Sequence, residues 1–211
     1  MLSQQVVFSF FGLSVLLALA PGPDNLFVLT LSALRGPRAG LWVVLGLCSG
    51  LVVHTAAVAL GVAALFAASP LAFTALKFVG AAYLLYLAWG AWNTPALSGN
   101  GTALDSTPGL TPLQAWRRGL VMNLTNPKVV LFFLAFLPQF CSPAQGHLAL
   151  QTLALGGLFI VAAGITFSSL ALLAGSLGRK LQTSPRLHSW LQRGAGAVLA
   201  GLALKLALTT R

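Results

Sequence analysis

Residues 20–25 read APGPDN, and they interrupt an otherwise apolar run that extends from about residue 5 to residue 34. A second interruption, NLTNPK at residues 123–128, falls within another apolar run at residues 114–137. Proline lacks a backbone N–H and clashes with the preceding turn, so a regular helix cannot continue through either segment. In a bilayer, the backbone groups freed by such a break must find partners in protein or in a water-lined cavity. The two segments therefore predict broken membrane helices whose breaks face the interior of the protein.

The composition indicates that lipid surrounds most of the chain. Of 211 residues, 57% are hydrophobic and only 7% are charged, whereas soluble domains carry roughly 25% charged residues. The net charge of +10 arises from 12 Lys and Arg against 2 acids. These basic residues lie singly or in pairs between apolar runs, without the basic patch and stacking aromatics of a nucleic-acid site. No nucleic-acid partner is therefore expected.

Six apolar runs are long enough to span a membrane, which takes about 20 residues. They are residues 5–34, 40–66, 71–92, 114–137, 147–177 and 188–208. A linker rich in Gly, Ser, Thr and Pro, at about residues 94–113, separates the first three runs from the last three. We therefore expect an all-α integral membrane protein with six transmembrane helices. It would form a single transporter domain over residues 1–211, with halves at about 1–93 and 114–211.

The distribution of Lys and Arg predicts the orientation by the positive-inside rule. One side carries Arg35, Arg38, Arg117, Arg118, Arg179, Lys180, Arg186 and Arg193, and the other carries Lys77, Lys205 and Arg211. We expect the first set to be cytoplasmic, which places both termini outside. Because each half would have an odd number of helices, the halves would be related as an inverted repeat. The broken helices one and four would then occupy equivalent positions.

Each break carries a charged residue near the middle of the bilayer. At about 1.5 Å per residue, Asp24 lies about 16 Å from Arg35, and Lys128 lies about 15 Å from Arg118, within a core about 30 Å thick. A lone charge there costs at least about 2.5–3.5 kcal/mol. Two interpretations remain open: a structural ion pair, or a transport site. In the second, Lys128 binds a substrate carboxylate, and Asp24 binds the ammonium or carries a coupling proton.

The candidate substrate-binding and coupling residues belong to the two breaks and to the second run. They are Pro21, Gly22, Pro23, Asp24, Asn25, His54, Asn123, Asn126, Pro127 and Lys128. Gly46 and Gly50 form a GxxxG pair, which permits close helix approach, and His54 shares a face with Gly50. His54 is either a buried, hydrogen-bonded histidine or part of a proton or substrate path.

The sequence resembles the lysine exporter (LysE/RhtB) family in its most distinctive stretches. These are PGPDN at 21–25 with RGPRAG at 35–40, the run from Gly46 to His54, and NLTNPK at 123–128 followed by FFLAFLPQF at 132–140. The resemblance covers essentially the whole chain, although the fifth and sixth helices match mainly in length and hydropathy. It implies a bacterial inner-membrane carrier that exports amino acids or related compounds. It further implies coupling to the proton-motive force, with the two breaks and the His54 face lining the site.

The resemblance does not fix the substrate, but the membrane acids limit it. Asp24 is the only acid in the six runs. A carrier for lysine or arginine would need a further group to neutralise the cationic side chain. We therefore expect a neutral amino acid or a homoserine-like solute, with protons and the lipid bilayer as the other partners and no cofactor. A monomer and a homodimer both stay open, because small residues permit helix association without specifying it.

Rival functions find less support in the sequence. An enzyme is not expected, because neither GxSxG nor HExxH occurs. Cys48 and Cys141 lie far apart in the sequence and form no CxxC pair, so neither a zinc site nor a thiol relay is expected. The main alternative is a carrier for metal ions or other small solutes, but hard cations need several oxygen ligands. If the protein served only in assembly, without transport, the free-energy cost of placing charges at the two breaks would have no explanation.

Overall fold

The structure, a computed structural model, describes residues 2–20, 22–67, 70–93, 110–183 and 185–208. Every regular element in those ranges is helical: α1 Gln4–Leu19, α2 Pro23–Arg35, α3 Pro37–Ala67, α4 Pro70–Asn93, α5 Pro112–Thr125, α6 Pro127–Leu131, α7 Leu148–Thr183 and α8 Pro185–Leu208. After α6 come a π-helical turn, Phe132–Phe136, and 3-10 turns at Leu137–Phe140 and Pro143–Gln145. The predicted all-α class is confirmed for this part of the chain. Pro21 and residues 94–109 of the linker lie outside the described residues.

Both predicted breaks are present in the structure. The axes of α1 and α2 meet at 62°, and those of α5 and the segment Pro127–Phe140 meet at 51°. Pro23 and Pro127 each begin the helix that follows the break. In the first turn of a helix the missing N–H of proline costs no hydrogen bond. Each proline therefore starts a new helix where the preceding one ends.

Two helices are long and apolar enough to cross a membrane on their own, Pro37–Gly61 and Leu148–Ala174. The number rises to four if α1 with α2, and α5 with Pro127–Phe140, each count as one bent span. The helices α4 and α8 have 24 residues each, a length of about 36 Å. Six spans would require these two helices to cross as well.

Exposed apolar side chains cover the outer faces of the two long helices. They include Leu45, Val52 and Leu60 on α3 and Val161, Ile165 and Leu172 on α7. Soluble proteins rarely expose apolar patches of this kind, and large ones mark membrane or protein contact. These faces therefore suit contact with lipid.

Glycines set the closest approach between α3 and α5. A Cβ on Gly46 would meet the backbone carbonyl of Trp116, and a Cβ on Gly119 would meet that of Val43. Gly50, one turn beyond Gly46, faces the side chain of Asn123. The close approach predicted from the GxxxG pair is thus present, with α5 as its partner. Residues later in α3 contact residues later in α5, so the two helices run in the same direction.

The helix α7 packs on the other side of α3 and also contacts α1 and α2. Gly156 of α7 faces Thr55, whereas Ala171 lies against Gly40 near the start of α3. This order shows that α7 runs opposite to α3. The remaining long helices, α4 and α8, pack on each other. The two broken helices are therefore held against the central pair of α3 and α7.

The glycine contact predicts a position-specific effect on stability. We expect Gly46→Ala to lower the free energy of unfolding by about 1–3 kcal/mol, because its Cβ would push α5 away. Gly61→Ala is the matched control on the same helix, since a Cβ there meets no atom within 4 Å. It should leave stability unchanged or raise it by up to about 1 kcal/mol. Thermal unfolding in detergent measures both, and equal effects would contradict the packing.

Candidate functional site

The site is built at the end of α1, where the chain leaves carbonyl groups without helical partners. The last carbonyls of a helix have no N–H partner within it, and Pro21 has no N–H to offer to Leu17. Lys128 fills this gap from the other break. Its Nζ donates to the carbonyl oxygens of Leu17 at 3.3 Å and Ala20 at 3.0 Å. A cation is also favoured by the negative end of the dipole of α1.

Asn25 satisfies another carbonyl of the same helix end. Its Nδ2 donates to the carbonyl oxygen of Ala18 at 2.7 Å. Gly22 keeps the space beside these groups open, because a Cβ there would lie 3.3 Å from Lys128 Nζ. The backbone of Gly22 is extended, so its role is to leave room for the ammonium rather than to adopt a strained conformation.

Asp24 lies in the first turn of α2, where the positive end of the helix dipole favours an acid. Its Oδ2 accepts a hydrogen bond of 2.8 Å from Asn126 Nδ2. The same amide caps α6, because Asn126 Oδ1 accepts from the Lys128 N–H at 3.0 Å. One asparagine thus joins the acid of the first break to the backbone of the second.

Both charges are withdrawn from solvent, with 1% of Asp24 and 7% of Lys128 exposed. The hydrogen bonds described for them go to neutral partners: an amide for Asp24 and two carbonyls for Lys128. A neutral partner compensates a buried charge less completely than an opposite charge does. The arrangement can therefore be disturbed by a ligand that offers a better partner to either group.

Asp24, Asn123 and Lys128 line one small cavity with room for about one water molecule. Its remaining wall is apolar and consists of Leu17, Ala18, Leu51, Val129, Phe159 and Phe167. The cavity lining thus combines three polar groups with six aliphatic and aromatic ones. It lies between the two breaks and the central helices α3 and α7.

Three buried oxygens of this region have no hydrogen-bond partner among the described residues. They are Oδ1 of Asp24, Oδ1 of Asn25 and Oδ1 of Asn123. A buried acceptor without a donor costs about 1–3 kcal/mol. Because all three atoms are acceptors, a ligand that completed this cluster would have to supply hydrogen-bond donors, preferably from a cationic group.

His54 is tied to the second break. It is half-buried, and its Nε2 donates to the carbonyl oxygen of Asn123 at 3.3 Å. That carbonyl also accepts from the Asn126 N–H at 3.1 Å. The ring of His54 lies 5.6 Å from that of Phe133, measured between centroids. These contacts agree with the hydrogen-bonded role for His54, and its role in a proton path stays a prediction.

The structure thus brings most of the predicted site residues together. Asp24, Asn126 and Lys128 form one hydrogen-bonded group. Asn25 bonds the Ala18 carbonyl at the same helix end, Gly22 adjoins Lys128 Nζ, and Pro23 and Pro127 begin the two helices beside them. Pro21 lies outside the described residues. Sequence reasoning missed the apolar wall from α7, Phe159 and Phe167. Their spacing of eight residues places them on one helix face, but periodicity does not tell which neighbour that face meets.

Broken helices that meet around a small cavity are typical of secondary membrane carriers. The family described as LysE type translocator matches residues 15–210 of the sequence. The chain therefore belongs to the LysE family, and it is a transporter, not an enzyme. No solved structure matches it.

Relatives align with nearly the whole chain. An uncharacterized membrane protein of Pseudomonas aeruginosa is 35% identical over 204 residues, which cover 93% of this chain and 92% of that protein. The homoserine/homoserine lactone efflux protein of Salmonella typhimurium is 33% identical over 192 residues, 90% of each chain. The leucine efflux protein of the same species is 31% identical over 196 residues, 92% of this chain and 91% of that protein.

The double role of Asn126 predicts that it stabilises the fold. We expect Asn126→Leu to lower the free energy of unfolding by about 2–4 kcal/mol, because it removes a helix cap and a hydrogen bond to a buried carboxylate. Thr125→Val is the matched control, since the Thr125 hydroxyl bonds only carbonyls of its own helix and is exposed. Unfolding of the purified proteins in detergent compares the two. Similar losses would show that Asn126 does not join the breaks.

Proposed function

We propose that this protein exports a neutral amino acid or a homoserine-like solute across the bacterial inner membrane, in exchange for protons. The observation that carries this proposal is the set of three orphan oxygens on Asp24, Asn25 and Asn123 beside the ammonium of Lys128. Two relatives are named for efflux of homoserine or its lactone and of leucine. Those names support an amino-acid substrate and the outward direction.

A zwitterionic amino acid complements the polar groups that line the cavity. Its ammonium has three N–H donors, and Oδ1 of Asp24 and Oδ1 of Asn123 are both buried acceptors without a donor. Its carboxylate needs donors. Lys128 has three N–H groups, of which two point to the carbonyls of Leu17 and Ala20. The third would donate to the substrate carboxylate.

The apolar part of the cavity lining suits an uncharged side chain. Its lining groups are aliphatic and aromatic, with Leu51 and Phe167 among them. Asp24 is the only acid among the residues that the structure describes, and in the proposed site it faces the substrate ammonium. A lysine or arginine side chain would remain without a counter-charge, at a cost of several kcal/mol in a low-dielectric site. These features favour neutral over cationic substrates.

The proposed transport cycle requires the helices to move. Sites for small molecules usually occupy about 300–1,000 Å³, far more than the space for about one water that the cavity offers. The proposed architecture is six spans in two inverted halves. The packing supports this symmetry. The broken segment α5 of the second half contacts α3 of the first half, just as the broken segments α1 and α2 of the first half contact α7 of the second. A two-fold axis between the halves would interchange these two contacts, and rocking about it would expose the cavity to each side in turn.

Asp24 is the proposed proton carrier, because it is a carboxylate in the cavity itself. His54 is the second candidate, through its bond to Asn123. The rival function, a carrier for metal ions, is less suited to this site because the ammonium of Lys128 would repel a metal ion. Among the described residues, no group of three His, Cys, Asp or Glu comes together. A transport assay separates these functions directly.

The first test is efflux from cells loaded with labelled amino acids, with and without a protonophore. We expect wild type to export one or more neutral amino acids or homoserine, and the protonophore to inhibit this. Asp24→Asn and Lys128→Ala should each reduce the rate by at least about 100-fold, since each removes a charge-assisted contact worth about 3 kcal/mol. Asp105→Asn, which removes the only other acid of the chain, should export like wild type.

Three results would contradict this proposal. Full efflux by both Asp24→Asn and Lys128→Ala, in protein inserted at wild-type levels, would remove the charged breaks from the site. Preferential efflux of lysine or arginine would overturn the argument from the single acid. No efflux of any amino acid, together with uptake of metal ions, would favour the rival carrier.

His54 is tested separately, by the pH dependence of efflux. If His54 lies on the proton path, His54→Gln should still bind substrate but lose the pH dependence, because glutamine does not titrate. Substrate binding is measured on the purified protein, so loss of binding is distinguished from loss of coupling. An unchanged pH profile would leave His54 with only its structural bond to Asn123.

A further inference from the structure

We propose that a layer of phenylalanine rings closes the exit route from the substrate site, and that the π-helical turn Phe132–Phe136 is the hinge of this gate. The aromatic layer consists of six residues from three segments. They are Phe10 of α1; Phe132, Phe133 and Phe136 of the π-helical turn, with Phe140 just beyond it; and Phe159 of α7. The inference rests on the proposed function, because a gate presupposes a transport path. It adds the residues that would decide when the path opens.

The rings form a continuous set of contacts across three separate segments. The centroid of Phe132 lies 4.9 Å from that of Phe159, 5.1 Å from that of Phe136 and 5.9 Å from that of Phe10. Phe140 closes the set, at 5.1 Å from Phe10 and 5.3 Å from Phe136. These distances lie within the range of favourable aromatic pairs. The rings therefore form one connected aromatic cluster that joins α1, the segment after Lys128 and α7.

The layer lies between two cavities. One is the small cavity at Asp24 and Lys128. The other is a cleft of about 370 Å³ lined by Leu2, Gln145, Gly146, His147, Leu150, Gln151 and Ala154. In the predicted orientation this cleft faces outward, because it contains the start of α1 and the connection that precedes α7.

Each segment that connects the two cavities carries rings of the layer. Leu2, just before α1, lines the cleft, and Leu17 of α1 lines the small cavity. Phe10 lies about midway, roughly 11 Å from each. On α7, Ala154 lines the cleft and Phe159 the small cavity. The third segment runs from Lys128 through the π-helical turn and Phe140 to Gln145. A solute that moved from one cavity to the other would have to displace these rings.

The π-helical turn gives the layer a means of moving. It begins four residues after Lys128, and the N–H of Leu137 bonds the carbonyl of Phe132. Such turns hold one extra residue, are rare, and occur often at functional sites. A change of this turn to regular α-helix would rotate the residues beyond it by about 100° relative to those before it. Phe140 would then leave Phe10, and the start of this motion lies beside the substrate-binding lysine.

Labelling of a cysteine in the small cavity tests the gate without any substrate. Val129→Cys places a thiol in the cavity wall, in a background with Cys48→Ala and Cys141→Ala. An impermeant maleimide is added from the side on which an Ala144→Cys variant, in the exposed turn before α7, reacts. We expect Phe10→Ala to raise the labelling rate of Val129→Cys by roughly tenfold, which corresponds to about 1.4 kcal/mol in the closing equilibrium.

Phe8→Ala is the matched control, because Phe8 is 76% exposed on the same helix whereas Phe10 is 0% exposed. It should leave the labelling rate unchanged. Equal rates in the Phe10→Ala and Phe8→Ala proteins would overturn the gate, as would rapid labelling with the intact layer. If Phe10→Ala does not fold, Phe140→Ala takes its place, since Phe140 is only half-buried and terminates the layer. Phe78→Ala, exposed on α4, is then its control.

The labelling result and the efflux result can fail independently. A protein that exports no amino acid but whose cavity thiol is exposed by Phe10→Ala has a gate and a different cargo. A protein that exports amino acids while labelling ignores the aromatic layer has the proposed function and another exit route.

Discussion

The structure depends on satisfying the backbone of two broken helices inside a membrane, where water is not available to do so. An unsatisfied backbone group in that setting costs several kcal/mol. The chain resolves this by exchange between the breaks. Lys128, from the second, supplies the donors for Leu17 and Ala20 at the end of α1, and Asn126 supplies the donor for Asp24 at the start of α2. The first break therefore depends on donors from the second, whose own helix α6 is capped by Asn126.

The same exchange explains why the central helices approach so closely. A lysine side chain can reach the carbonyls of α1 only if α5 and α6 lie deep in the bundle. Gly46 and Gly119 permit this, because each lets a carbonyl of the facing helix occupy the position of a side chain. Gly50 and His54 then meet Asn123 at the end of α5. Small residues on α3 thus fix the depth of the second break, and the depth of the break fixes where its charge lies.

The sequence predicted what depends on local chemistry and missed what depends on long-range packing. Proline chemistry located both breaks, and the two charged residues within them, Asp24 and Lys128, are buried in the structure, whereas their depth in the bilayer stays a prediction. The partners of those charges could not be predicted, because Asn126 and Asp24 are 102 residues apart and only the packed structure shows which groups meet. The aromatic layer was missed for another reason. FFLAFLPQF reads as an ordinary apolar segment, and the helical spacing of its phenylalanines reveals neither the π-helical turn nor the contacts with Phe10 and Phe159.

The proposed site and the proposed gate meet at Lys128, and this connection has an energetic consequence. The third N–H of Lys128 would donate to a substrate carboxylate, and this charged acceptor would attract the ammonium more strongly than the carbonyls of Leu17 and Ala20 do. The closer Lys128 moves to the substrate, the less it holds the end of α1, which carries Phe10. The substrate ammonium would meanwhile satisfy Asp24 and Asn123, whose orphan oxygens cost about 1–3 kcal/mol each when unpaired. A solute that lacks either charged group would gain only part of this energy, so it would bind without loosening the helix that holds the exit closed.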